Sequence, residues 1–111
     1  MKTAVVYKSL SGFTRKYAEW IADELEADLL PRESVTSQDL SEYQTIIFGG
    51  SLHAVGINGV DLITTNFESL KDKNLIVFAT GASPSRESIP DEIKKKNFTP
   101  EQLEHISFYY L

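Results

Sequence analysis

The sequence predicts a doubly wound α/β fold in which residues 1–111 form one domain around a parallel sheet of five strands. Three observations predict it. Short apolar runs rich in β-branched residues recur along the chain, amphipathic helical segments separate them, and the connections are short. No internal repeat, low-complexity stretch or linker interrupts the pattern.

Thr3-Ala4-Val5-Val6-Tyr7 reads as a strand buried on both faces, as a central parallel strand must be. From Thr14 to Ala27, Tyr17, Ile21 and Leu25 recur four apart and Ala18 and Ala22 widen the stripe, which gives a helix with one face for the core. Asp28-Leu29-Leu30 is a short strand closed by Pro31, and Asp39 to Tyr43 makes a single helical turn. Thr45-Ile46-Ile47-Phe48 is a buried strand that stops at Gly49-Gly50. Asn58 is placed to cap a helix that carries Val60, Ile63, Phe67 and Leu70. Leu75 to Ala79 is the clearest buried strand, ending at Thr80-Gly81. Ser88 and Pro90 then open a helix to about Lys96, and Thr99-Pro100-Glu101-Gln102 combines an N-cap, a first-turn proline and a capping-box glutamine. Ile106 to Leu111 is an aromatic strand.

Composition narrows the function classes. A net charge of -5 argues against nucleic acid and anionic membranes as partners, because both need a dense basic surface. The one basic run, Lys94-Lys95-Lys96, falls late in a helix, where cations complement the carbonyl end. The absence of cysteine excludes disulfides, thiolate catalysis and thiolate metal sites, and it fits a reducing, cytoplasmic setting. No apolar run is long enough to span a bilayer, and no secretory leader pattern opens the chain.

In a sheet of this kind ligands bind beyond the carboxyl ends of the strands, at the switch in strand order. Three loops meet there: Lys8 to Thr14, Gly49 to Ile57 and Thr80 to Arg86, all rich in Gly, Ser and Thr. In the first, Ser9, Ser11 and Thr14 offer hydroxyls, Gly12 lets the backbone approach an anion, and a helix starts immediately after. Lys8 and Arg15 read as solvated. The same residues suit a bland role equally well, with Ser11 capping the helix and Gly12 making a turn. The loop lacks G-x-x-x-x-G-K-[ST] and G-x-G-x-x-G, so neither a P-loop nor the dinucleotide fingerprint applies. A phospho-acceptor domain needs an acidic cluster at the strand ends, and these loops supply no Asp or Glu before Glu87.

Ser9-Leu10-Ser11-Gly12-Phe13-Thr14 resembles the phosphate loop T/S-x-T/S-G-x-T of the flavodoxin-domain family. Phe48 to Ile57 resembles the family's second FMN loop, as in the flavin-dependent protoporphyrinogen oxidases, and Ala79 to Pro84 resembles the third. The likeness extends over nearly the whole chain. It implies a flavodoxin-like sheet and FMN as cofactor. The phosphate would lie on Ser9, Leu10, Ser11, Gly12, Phe13 and Thr14. The ring would lie between Gly50, Ser51, Leu52, His53, Ala54 and Gly56 on one side and Thr80, Gly81, Ala82 and Ser83 on the other. It further implies redox or electron-transfer work with a partner protein or a small electron acceptor, by a flavin-dependent oxidoreductase or a carrier without catalytic side chains. Backbone groups near Gly50 and Gly56 would tune the flavin.

Three features depart from the pattern. Phe13 stands where flavodoxins commonly have asparagine, and His53 is the one aromatic candidate in the two ring loops, fit either to stack on the flavin or to sit exposed. His105 reads as structural and Trp20 as packing or surface. The family's final helix has no counterpart before Leu111, which predicts a sheet face half covered beside the first helix. A longer parent chain, a homodimer across that face or edge pairing of the last strand would each answer this, and the homodimer is the expectation. The competing function is a degenerate, cofactor-free module that acts through protein contacts.

Overall fold

Ala4, Val5 and Val6 are wholly buried in consecutive positions, which is possible only for a strand covered on both faces. They belong to β1 (Thr3–Lys8), followed by α1 (Phe13–Leu25), β2 (Asp28–Pro31), a 3-10 turn over 32–34, α2 (Ser37–Leu40) and β3 (Thr45–His53). A two-residue β4 (Gly56–Ile57), α3 (Asp61–Thr65), α4 (Phe67–Leu70), β5 (Asn74–Thr80), α5 (Ile89–Asn97), α6 (Pro100–His105) and β6 (Ile106–Tyr110) complete the order. This is a computed structural model, and it describes residues 2–8, 12–53, 56–81 and 89–111.

The five long strands are all parallel, in the order β2-β1-β3-β5-β6, and β4 folds back antiparallel on β3. The chain moves outward from β1 to β2, then crosses to β3 on the other side, so the switch in strand order lies between β1 and β3 as a doubly wound sheet requires. The larger core lies on one face, where Val6, Phe48 and Val77 meet Ile63, Leu70 and Ile93. On the other face Val5, Ile47 and Phe78 meet Ala18 and Ala22 of α1, whose small side chains bring that helix close to the sheet. Among the described residues α1 alone packs on this second face. Tyr17 reaches the Phe78 ring edge-on at 6.5 Å, but Tyr109, level with Phe78 on β6, is 57% exposed. No helix among the described residues is long and apolar enough to cross a membrane.

Several boundaries differ from expectation for identifiable reasons. β3 does not stop at Gly49-Gly50 but runs on to His53, because β1 and β5 both pair with it through those glycines. A Cβ on Gly49 would lie 2.1 Å from the Phe78 ring, so the glycine here makes room for an aromatic. The helix expected from Asn58 to Leu70 resolves into a hairpin and two short helices. Asn58 caps neither: its Nδ2 donates to Ser51 Oγ at 2.9 Å and its backbone N–H to the Ser51 carbonyl at 2.9 Å. The break between α3 and α4 falls at Asn66, whose Nδ2 donates to the Leu62 carbonyl at 2.9 Å and competes with the helical ladder. α1 ends at Leu25 rather than Ala27, since Glu26 turns left-handed (φ 52°) and Ala27 N–H closes on the Ala22 carbonyl at 2.8 Å. The expected turn near Asp39 starts earlier, where Thr36 and Asp39 form a capping box. The Thr99–Gln102 capping box and the lysines in the last turn of α5 are as the sequence predicts. Ser88 lies outside the described residues.

Candidate ligand site at the carboxyl edge of the sheet

Register decides what meets at this edge. Lys8 pairs with Gly50, Gly50 with Ala79 and Ser51 with Thr80, so β1 and β5 end within one residue of the same level and β3 runs on past them to His53. Helix α1 starts just beyond β1. Its N-cap is Gly12 at φ 90°, in the left-handed region, and no described residue beyond its chain neighbours lies within 4 Å of where a Cβ would be. Conformation, not crowding by any described residue, therefore demands glycine at this point. The first turn of any helix carries N–H groups without intrahelical partners, and here it carries them to the open edge.

Thr14 is fully buried, and its Oγ1 lies 2.7 Å from Thr80 Oγ1. This hydrogen bond ties the first turn of α1 to the end of β5. Each hydroxyl has one proton to donate and two lone pairs to accept with, but Thr14 is wholly buried, so of the two residues only Thr80, 7% exposed, touches solvent. Phe13 stands at the rim, 66% exposed. Of the second loop, Gly50 is buried, and a Cβ there would come within 2.5 Å of the Asn58 carbonyl oxygen. Ser51 is buried and accepts from Asn58, Leu52 pairs with Ile57, and His53 pairs with Gly56 across the hairpin. Gly81 follows β5 at the same edge and is exposed.

The structure thus brings together Gly12, Phe13 and Thr14, Gly50, Ser51, Leu52 and Gly56, and Thr80 and Gly81, with His53 described in its backbone. Ser9, Leu10, Ser11, Ala54, Ala82 and Ser83 lie outside the described residues. Lys8 and Arg15, expected to be solvated, also form surface ion pairs: Lys8 with Glu33, and Arg15, 61% exposed, with Glu19 at 2.8 Å. The hydrogen bond from Lys8 is the main reason the Glu33 carboxyl is held below its ordinary pKa. Arg32 donates to the Gly59 carbonyl at 3.3 Å and pairs with Asp61 at 3.2 Å. Away from the edge, Trp20 is exposed, and His105 meets the Phe67 ring edge-on at 5.6 Å.

Two contributors escaped the sequence. Asn97, at the end of α5, accepts the Ile57 N–H at 3.0 Å and donates to the Ile93 carbonyl at 2.8 Å, bracing the β3–β4 hairpin against α5. Tyr110 pairs with Ala79, which sets its ring against Gly81; its hydroxyl oxygen lies 3.1 Å from where a Gly81 Cβ would be. The alternation of β6 could have put Tyr110 on the same face as Phe108, but its level beside Gly81 needed the pairing register.

A family model for the flavodoxin domain matches residues 4–107, and the chain belongs to that family. No curated protein matches the chain in sequence. Among solved structures, the Trp repressor binding protein from Bacillus subtilis superposes with a TM-score of 0.70 at 17% identity, covering 99% of this chain and 82% of that one. Oxidised flavodoxin 2 from Bacillus cereus gives 0.59 at 20% identity, over 100% and 85%. Two-electron reduced flavodoxin from Megasphaera elsdenii gives 0.62 at 16%, over 96% and 85%. These likenesses establish the fold. Neither the family model nor these structures single out the protoporphyrinogen oxidases.

Proposed function

We propose that the carboxyl edge binds FMN and that the protein carries electrons between the flavin and a redox partner, either a protein or a small acceptor that reaches the same edge. The observation that carries this reading is the start of α1: a left-handed Gly12 caps the helix N-terminus at the carboxyl edge of the sheet, beside the Thr14–Thr80 hydroxyl pair. That donor set suits a phosphate, which accepts several hydrogen bonds and is favoured by the helix dipole. Gly12, Phe13 and Thr14, with Ser9, Leu10 and Ser11, would hold the phosphate. Gly50, Ser51, Leu52, His53, Ala54 and Gly56 would flank the ring on one side, and Thr80, Gly81, Ala82 and Ser83 on the other. The flavin, when bound, supplies the one- and two-electron chemistry.

The chain's own part is to position the cofactor. The Ser51–Asn58 and Asn97–Ile57 hydrogen bonds hold the hairpin from behind, and the Thr14–Thr80 bond keeps the phosphate end and ring end in fixed relation. The helix N-terminus and the loop hydroxyls supply backbone and hydroxyl donors as the expected phosphate ligands. Titrating the purified protein into FMN tests the proposal. Quenching of flavin fluorescence to a one-to-one endpoint at micromolar concentration is expected. Unchanged fluorescence would overturn it in favour of a module that works without cofactor.

A further inference from the structure

The charges on α1 run against its own dipole. Arg15 and Lys16 follow its start and Asp23, Glu24 and Glu26 crowd its end, with no acid in the first turn and no base in the last. A helix favours the opposite sign at each end. Between them Trp20 is 68% exposed and Leu25 53%. Lys16, Trp20 and Glu24 are spaced four apart and so form one surface ridge. A shallow hollow flanks it on each side, one lined by Trp20, Ile21, Glu24 and Leu25, the other by Lys16, Glu19, Trp20 and Asp23. None of the ion pairs among the described residues uses Lys16 or Glu24.

We propose that this ridge is the interface of a homodimer, in which a second copy of the chain lays its α1 antiparallel across the first with Trp20 at the two-fold axis. The ridge is self-complementary. Rotation about Trp20 brings Lys16 of each copy to Glu24 of the other, so one residue pair is used twice, as an isologous interface requires. The same rotation sets the basic start of each helix beside the acidic end of its partner and opposes the two dipoles. Each Trp20 then has an apolar hollow to enter, and ridge-into-groove contact covers side chains that the single chain leaves in water. The second sheet face, with Tyr109 exposed, extends the apolar surface on the same side as α1. This inference does not depend on the flavin reading.

Sedimentation at micromolar concentration tests it. The expected species has twice the 12.5 kDa chain mass. Lys16→Glu and Glu24→Lys should each weaken association by about tenfold or more, since each sets like charges together twice. The double exchange should restore it. Trp20→Glu should give a monomer with an unchanged far-UV spectrum, because Trp20 takes no part in the core. A monomeric wild type would overturn the proposal. So would a dimer indifferent to Lys16→Glu and Trp20→Glu, which would locate association elsewhere, such as the β6 edge.

Discussion

Thr14 shows how much one side chain can alter a motif's meaning. In the sequence its hydroxyl is one donor among several in a loop; in the structure it is buried and bonded to Thr80, sixty-six positions away along the chain. Thr80→Val keeps the shape but strands the Thr14 hydroxyl, and denaturant unfolding should register a loss of about 1–3 kcal/mol. Gly12 behaves differently. Gly12→Val forces a β-branched residue to φ 90°, at about 1–2 kcal/mol of backbone strain, and its side chain projects where the phosphate is proposed to lie, clear of the described residues. FMN affinity should therefore fall further than stability does, measured by titration and unfolding of the same variant. Tyr43 supplies a pH test remote from the edge. Its hydroxyl donates to Asp28 Oδ2 at 2.7 Å, and that bond, with burial and the Asp28 charge, pushes its pKa up to about 12 from 10. The folded state favours the protonated phenol, so this contribution is whole below pH 10 and is lost as pH rises towards 12. Tyr43→Phe should flatten stability across that window.

At the scale of elements, the capping box at Thr99 and the strands at Leu75–Ala79 and Thr3–Tyr7 were legible because their signals are local. Propensity, alternation and caps are read from neighbours in sequence. Thr99→Ala should cost about 1 kcal/mol in thermal or denaturant unfolding, the usual worth of a side-chain cap. Gly-Gly is a local stop signal that places the end of β3 too early, and only its two parallel neighbours override it. Gly50→Ala tests that override. A Cβ 2.5 Å from the Asn58 oxygen must displace the turn behind the hairpin, and a loss of about 1–3 kcal/mol in unfolding stability is expected. Asn58 misled for the same reason. It is a fit helix cap in sequence, yet its partner is Ser51 across the hairpin, a contact that exists only once β4 has folded back.

For the whole molecule, fold class followed from the succession of buried runs and amphipathic segments, since a parallel sheet has few ways to bury both faces. The edge that holds the candidate site followed with it, because strand order fixes which loops share an edge. What could not be read were the ties across that edge: Thr14 to Thr80, Asn97 to Ile57 and Tyr110 against Gly81 depend on register between elements far apart in the chain. The central claim is that this edge anchors a flavin through its phosphate at the start of α1. The most direct measurement compares the affinities of FMN and riboflavin, which share the ring and differ in the phosphate. Several charge-assisted hydrogen bonds at that point predict tighter binding of FMN by about a hundredfold or more. Equal affinities, or no binding of either, would contradict the account.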